Sequence, residues 1–504
     1  MMRVLLVQPS CIVSERCADR VLPFLPVGLA SIASALRASG HQVKLLDALT
    51  SGWGQRWRIE GNWIEIGLPE EEIAAEIRRF RPQVVGFSVP FTTQMPRMRS
   101  LANWVKAIHP EIFVVCGGNH PSAAPEDTLA VPEVDVVVLG EGEEIFPRLL
   151  ARLERGQSYQ RMDGIAYRKE NGVVSNRPNP HFIENLDSLP LPAYDLIPVK
   201  AFFKISGKRG IPLFTSRGCG KPCTFCSFGR VHGTTVRRKS TGNIIKEMKH
   251  LVEFYGVREF FFDDDNLFSD REAAEQLLSG IVAENLRIQW TARNGVDPAA
   301  LDEIILAKVM ESGGKRLHFS PESGSRRVLN SILEKPVDLF ILEHAIARSL
   351  EAGLKVSCHF TIGHPGETLE EVYETLNFAW KLRSLGVDDF DFSLAVPYAG
   401  TGLRAKAENM GCILPHPEPM YMPHEGCLST DEITAEEMVR IRDTAEREFN
   451  SRGLVVGLKQ KVAPGKKIPH APEDRFFYTV APQPRTHTIS PTPDEDQETA
   501  EEVV

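Results

Sequence analysis

The sequence predicts an α/β chain made of two successive parallel-sheet units. A doubly wound parallel sheet comes first, then a partial (β/α)6 barrel, with a small C-terminal helical region behind them. Three observations carry this. Short apolar runs alternate with helix-spaced patterns twice over, once before about residue 150 and again after about residue 206. The runs are apolar on both faces, which suits strands covered by helices on each side. A proline-rich stretch, Leu189-Pro190-Leu191-Pro192 with Ile197-Pro198, separates the two series as an inter-domain linker does. At 504 residues the chain is also too long for one ordinary core.

The first series opens on the run Val4 to Val7. Val27 to Ala38 has helical spacing and stops at Gly40. Val43 to Leu46 is the second strand. Pro69-Glu70-Glu71-Glu72 opens a helix whose apolar face is Ile73, Ile77 and Phe80. Proline and acids in its first turn suit the helix dipole. Val84 to Ser88 is the third strand, Met98 to Ile108 a helix, Ile112 to Cys116 the fourth strand and Asp135 to Leu139 the fifth. In such sheets ligands sit beyond the carboxyl ends of the strands. The polar and glycine-rich residues fall there: Ser88, Gly117-Gly118-Asn119-His120 and Gly140-Glu141-Gly142. No GxGxxG follows the first strand, which argues against a dinucleotide. Thr50 to Leu68 reads as a long loop carrying Trp53, Trp57 and Trp63, which either cover a ligand or form a packing cluster. Residues 151–205 are a connector, with a hairpin signal at Asn171-Gly172 before the prolines.

Composition narrows the class. The hydrophobic fraction of 42% and charged fraction of 25% are those of a soluble globular protein. A net charge of −9 argues against a general nucleic-acid binder. No apolar run is long enough to span a bilayer, so no transmembrane segment is expected. The first residues read as a buried strand and not a signal peptide. Nine cysteines, an odd number, point to a reducing, cytoplasmic setting. Cys116 and Cys358 lie inside apolar runs and read as buried small hydrophobes.

The second series has strand-like runs at Pro212 to Thr215, Glu259 to Phe262, Ile288 to Thr291, Arg316 to Phe319, Lys355 to Ile362 and Phe390 to Val396. Helical patterns separate them, so a partial barrel follows, with its chemistry at the carboxyl ends of the strands. Directly after the first run come Cys219, Cys223 and Cys226 at CxxxCxxC spacing. Thiolates suit iron–sulfur clusters or zinc, and three are one short of a closed four-cysteine site. No further Cys or His stands at zinc-finger spacing; His232 is the nearest and lacks a paired ligand. A four-iron cluster here would keep one iron open.

This loop, with Phe225 in the aromatic slot between its last two cysteines, resembles the radical SAM superfamily, in which S-adenosylmethionine fills the open position. Further motifs agree. Asp263-Asp264-Asp265-Asn266 after the second strand resembles the family's D-D-N variant of the segment that contacts the methionine moiety; which acid does so is open. Glu322-Ser323-Gly324-Ser325 resembles G-E-S-G-S near the ribose, with Pro321 in place of the glycine. Ile362-Gly363-His364-Pro365-Gly366-Glu367 is similar to the family's stretch near adenine, and Pro397-Tyr398-Ala399-Gly400-Thr401 resembles PxPGT with Ala399 for the second proline. The resemblance thus implies a cluster on Cys219, Cys223 and Cys226, and S-adenosylmethionine against Phe225, Asp264, Asp265, Asn266, Glu322, Ser323 and Gly363.

The first sheet is similar to the Rossmann-like cobalamin-binding domain of one large radical SAM class, through "VVGFS", "VVCGGNHPSAAPED" and "VVVLGEGEE". That implies cobalamin near Ser88, Gly117, Gly118, Asn119, Gly140, Glu141 and Gly142. DxHxxG is absent, so no histidine is assigned below cobalt. The domains expected are 1–150 for cobalamin, 151–205 as hairpin and linker, 206–400 as radical SAM barrel, 401–463 covering the barrel, and 464–504 as a disordered tail. The resemblance implies a methyltransferase that uses a 5′-deoxyadenosyl radical, methylcobalamin and a [4Fe–4S] cluster on a small-molecule substrate, with flavodoxin or ferredoxin as electron donor. An oxidative cyclase or rearrangement enzyme is the alternative, and a non-enzymatic corrinoid or electron carrier a further one. The sequence assigns no catalytic proton or hydrogen donor.

Overall fold

The computed structural model describes residues 1–450 apart from 20, 60, 61, 171, 177–181 and 416–420. The expected tail, the end of the covering region and Asn171 of the hairpin signal lie outside the described residues. Strands β1 (Arg3–Gln8), β2 (Gln42–Asp47), β3 (Val84–Ser88), β4 (Phe113–Gly117), β5 (Val136–Val138), β6 (Ile165–Lys169) and β7 (Gly172–Ser175) form one sheet in the order β7-β6-β5-β4-β3-β1-β2. The first five are parallel; β6 and β7 add antiparallel. The hairpin read as part of the connector therefore extends the first sheet. Its strand β6 is apolar on the buried side (Ile165, Ala166), which gives it a core to join.

The helix expected at Val27–Ala38 is present and packs its Leu29, Ala30, Ala33 and Leu36 inward. The helix Glu70–Phe80 buries Ile73 and Ile77 and carries Glu70, Glu71 and Glu72 in its first turn. Thr50–Leu68 is not a loop. Strand Trp63–Ile66 pairs with Cys11–Ser14 on one side and Arg56–Ile59 on the other in a small antiparallel sheet. Trp57 donates its indole N–H to buried Glu65 at 2.9 Å, and Trp53 packs against Cys11, Val13 and Cys17. A buried carboxylate needs donors, so these two tryptophans serve packing.

Strands β8 (Gly210–Leu213), β9 (Glu259–Phe262), β10 (Gln289–Ala292), β11 (Gly314–Glu322), β12 (Lys355–Ile362) and β13 (Asp389–Leu394) are all parallel and adjacent in sequence order. Right-handed strand–helix–strand units force this order. β8 begins two residues before the run that predicted it, because Gly210 and Ile211 pair with Glu259 and Phe260. Beyond β13, helices Gly402–Asn409 and Ala435–Asn450 follow; Ile433 and Met438 pack on Ile362, Val372 and Leu394. No helix among the described residues is long and apolar enough to cross a membrane.

Both sheets lie in one unit, Met1–Glu446. The carboxyl end of the first sheet meets the mouth of the barrel. Gly400, after β13, has φ +77°, and a Cβ there would stand 2.1 Å from the carbonyl oxygen of Ala123 in the short helix Asn119–Ala123. Gly400→Val is therefore expected to destabilise the protein by about 2 kcal/mol or more, through backbone strain and that clash. Denaturant unfolding of variant and parent checks this.

Candidate active site

A cleft of about 610 Å³ opens at the carboxyl ends of the barrel strands. Cys219, Cys223 and Cys226 line one wall, with Phe225 between them. The loop that holds them is fixed from several sides. Gly218 has φ +92°, and a Cβ would lie 2.3 Å from the carbonyl oxygen of Thr235, so only glycine fits. The Thr224 hydroxyl donates to the Ile332 carbonyl at 2.9 Å.

Two of the three acids after β9 serve this loop. Asp264 is 1% exposed. Its carboxylate accepts from the Thr215 amide (3.0 Å), the Thr215 hydroxyl (2.7 Å) and the Ser216 hydroxyl (2.6 Å). Burial pushes its pKa up, against those bonds. It does not line the cleft and anchors the cysteine loop from beneath. Asp265 lines the cleft and accepts from the Gly218 amide (2.8 Å) and His232 Nδ1 (2.9 Å). Asn266 lines the cleft beside Asp297.

The motif residues after β11 and β12 divide as well. Glu322 lines the cleft, is 4% exposed and has φ +63°, an uncommon conformation for a non-glycine residue that marks functional sites. Its carboxylate accepts from Lys335 Nζ (2.7 Å) and the Thr361 hydroxyl (2.8 Å) and pairs with His359 Nδ1 (3.2 Å). Burial opposes its charge, but Lys335 and His359 hold its pKa well below the usual carboxylate range. Its oxygens are thus already engaged by protein groups. Ser323 is fully buried against Thr375 (2.8 Å) and does not line the cleft. Gly363 does not line it either; its amide donates to Glu367 at 2.6 Å, and a Cβ would stand 3.0 Å from Met438 Cγ. Ser323 and Gly363 thus serve turn and packing roles in the strand ends they occupy.

Glu367 closes that turn by accepting from the Gly363 and His364 amides. Burial pushes its pKa up to about 8, against those two bonds. A carboxyl whose folded pKa is raised gives stability below its unfolded pKa, near 4.3, that is lost as pH rises through the folded value. Stability is therefore expected to fall between about pH 4.3 and pH 8 by up to about 5 kcal/mol at this site. Glu367→Gln should flatten that slope in urea unfolding across the range.

In the first sheet, Ser88, Gly117, Gly118, Asn119 and Gly140 stand where β3, β4 and β5 end. Gly118 has φ +109°, and a Cβ would press to 3.0 Å on the Val89 backbone. Gln94 is 1% exposed, donates to the Pro9 carbonyl after β1 at 3.0 Å, and leaves its own Oε1 without a hydrogen-bond partner. Glycine-lined turns and an unused amide oxygen beside the switch between β1 and β3 fit a large, amide-rich flat ligand there. Glu141 and Gly142 have structural partners of their own. Glu141 is buried and accepts from Arg237 (2.8 and 2.9 Å) and the Ile183 amide (2.7 Å). Arg217 lies 3.3 Å from Glu141 and donates to Glu143 at 2.6 Å. Burial opposes the Glu143 charge, but Arg217 keeps its pKa low. These carboxylates tie the first sheet to both strands that flank the cysteine loop, Ser216–Arg217 and Arg237–Arg238. Gly142 starts the helix Gly142–Glu154, and a Cβ would meet Ile32 at 3.0 Å; it serves helix packing.

The donor set suits a four-iron cluster. The other six cysteines are buried, whereas these three face one cleft. Among the described residues no three His, Cys, Asp or Glu side chains converge on a single ion. A four-iron cluster seats each thiolate on its own iron, so convergence on one point is not needed. Burial pushes the Cys226 thiol up to about 11 and raises Cys223, and binding a cluster would release their protons.

Sequence reasoning missed four cleft residues: His318, Lys335, His359 and Asp391. Polar residues alternate along β11, β12 and β13 (His318 and Ser320, Ser357 and His359, Asp389 and Asp391), and that period of two was the signal for all of them but Lys335.

Residues 17–150 match the family described as B12 binding domain, and residues 213–379 match the Radical SAM superfamily. The chain is 32% identical to the uncharacterized methyltransferase PH0819 of Pyrococcus horikoshii, over 90% of this chain and 94% of that protein. It is 28% identical to the cytidylyl-2-hydroxyethylphosphonate methyltransferase of Streptomyces wedmorensis, over 89% and 90%. Its fold is similar to that of the radical S-adenosylmethionine methyltransferase TsrM of Kitasatospora setae, with a TM-score of 0.65 at 19% identity, covering 83% of this chain and 78% of that one. The two matched domains in this order, and the similarity to a methyltransferase along nearly the whole length, place the chain in the family of cobalamin-dependent radical SAM methyltransferases.

Proposed function

We propose that Cys219, Cys223 and Cys226 hold the [4Fe–4S] cluster of this methyltransferase, and that Phe225, Asp265, Asn266 and Glu322 border its S-adenosylmethionine. The observation that carries this is the convergence of three thiols, alone among nine cysteines, on a cleft at the carboxyl ends of the barrel strands. When bound, the cluster and S-adenosylmethionine supply a 5′-deoxyadenosyl radical, and cobalamin supplies the methyl group, for an unreactive carbon or a phosphorus of a small-molecule substrate. The residues present do the positioning. Asp264, Asp265 and Gly218 fix the cysteine loop, and Glu141 and Glu143 clamp it through Arg237 and Arg217 to the sheet that takes cobalamin at Ser88, Gly117, Gly118, Asn119 and Gly140. Glu322 orients Lys335 and His359 toward the cleft. We further propose domain limits near residues 1–175 and 206–400, a flavodoxin or ferredoxin as electron donor, and a cytoplasmic location.

Anaerobic reconstitution with iron, sulfide, cobalamin, S-adenosylmethionine and a strong reductant tests the reading. Release of 5′-deoxyadenosine is expected, and its absence would sink the radical assignment. With a turned-over substrate, a gain of one methylene supports methyl transfer; a loss of hydrogens alone would point to an oxidative cyclase.

A further inference from the structure

The cleft floor is built from three neighbouring strands whose inward residues are polar throughout. His318 on β11 bonds through Nδ1 to Ser357 on β12 at 3.0 Å, and His359 on β12 bonds through Nε2 to Ser393 on β13 at 2.9 Å. The two imidazole centroids are 6.3 Å apart. Their surroundings differ. His318 is pushed down to about 4 by burial and by His359, while His359 is pushed up by Glu322 against its own burial. The two rings are thus shifted in opposite directions from the ordinary imidazole value.

Each fixed cation on the cleft wall already has an acid. Lys335 is bound to Glu322 at 2.7 Å, Arg293 to Asp263 at 2.8 Å through Nε, and Lys221 to Asp297 at 3.6 Å. Most acids are engaged too: Asp265 holds Gly218 and His232, and Asp338 caps the helix Leu339–Glu351. Asp391 differs. It lines the cleft, its carboxylate accepts no hydrogen bond among the described residues, and His359 Nε2 stands 3.9 Å from it. One pleat back on the same face, Asp389 is paired to Arg316 at 3.0 Å. The register position that Arg316 takes beside Asp389 is taken beside Asp391 by His318, whose pKa burial pushes down. The Asp391 side chain is 55% exposed, so water satisfies it while the cleft is open. A substrate that fills the cleft strips that water, and a desolvated carboxylate without a partner is costly.

Resting on the reading above, we propose that Asp391 is a specificity-determining residue, and that the substrate presents a protonated amine or amidine to Asp391 beside His318 and His359. A phosphoryl or phosphonate group on that side would meet Asp391 with no unpaired cation to offset it, so the same residue rejects anions. The apolar wall opposite, with Phe225, Val296 and Ile341, suits a carbon skeleton attached to the amine.

Matched probes test this in the reconstituted holoenzyme with S-adenosylmethionine and cobalamin bound. Phenethylamine and phenethylphosphonate share one skeleton and differ in the sign of the end group. Calorimetric titration is expected to show saturable phenethylamine binding, at least about tenfold tighter than phenethylphosphonate. Asp391→Asn should lose that preference while keeping the visible absorbance of the cluster, and Asp391→Glu should restore part of it. Tighter binding of the phosphonate, binding of neither probe, or a preference unchanged in Asp391→Asn would each overturn the proposal. Release of 5′-deoxyadenosine by the same preparation keeps the two readings apart. If it occurs without amine preference, only the substrate inference fails; if it does not occur, the radical assignment fails.

Discussion

Cys223→Ala is expected to abolish the broad visible absorbance of the reconstituted cluster and to reduce 5′-deoxyadenosine release below detection. The effect is total because the site has no spare ligand. The three thiols occupy one wall of the cleft, and the remaining cysteines are buried in the cores of the two sheets or the C-terminal region. His232, the nearest imidazole, is held by Asp265 at 2.9 Å. Removing one thiolate leaves two irons without protein ligands, counting the one already open. Cys358→Ala is the matching control. Cys358 is fully buried in β12, where burial drives its thiol far above the ordinary value. That substitution should cost about 1–2 kcal/mol of stability as a small cavity and leave the cluster intact. A complete four-iron cluster in Cys223→Ala, by iron content and absorbance, would refute the ligand assignment.

Glu322→Gln carries the second large effect. The carboxylate is the common partner of Lys335, His359 and Thr361, on a backbone at φ +63°. Neutralising it leaves Lys335 charged and 8% exposed without its counter-ion. Breaking one side of a buried pair in this way typically costs about 3–5 kcal/mol. The double change Glu322→Gln with Lys335→Met should recover a large part of that loss, since it removes the stranded charge. The wild-type pH profile follows from the same contacts. The folded pKa of Glu322 is depressed, so its contribution is present above the unfolded value near 4.3 and is lost as pH falls through the folded value. Acid unfolding should therefore begin at higher pH in Glu322→Gln than in the parent, with a lowered His359 pKa as a second sign, since Glu322 raises it. Equal unfolding free energies for Glu322→Gln and the parent at pH 7 would remove the pair from the account.

How much of this was written in the chain depends on the range of the interaction. Periodicity and spacing are local, and they placed the helix Val27–Ala38, all six barrel strands and the helix Leu339–Glu351. They also placed the cysteines, because ligand type and interval are read along the backbone. The stretch Trp53 to Trp63 misled because a short antiparallel sheet needs a partner far away, Cys11–Ser14, that local pattern does not name.

Site residues divided along the same line. Asp264 and Asp265 are neighbours in sequence and look alike, yet one supports the loop from beneath and the other faces the cleft. Adjacent residues after a strand point opposite ways, and only the bonds to Thr215, Ser216 and Gly218 show which is which. Glu141 sits in a glycine-rich phrase at a strand end, where sequence assigned it to a ligand; Arg217 and Arg237, from the other sheet, claimed it. Sequence by itself determined the two sheets, the order of the domains and the three thiols, because each rests on spacing within one element. Tertiary structure alone decided which carboxylates are already hydrogen-bonded, and so left Asp391 as a cleft-facing acid whose carboxylate accepts no hydrogen bond among the described residues: hydrogen bonding across 39 to 96 residues is set by packing, which no local pattern encodes.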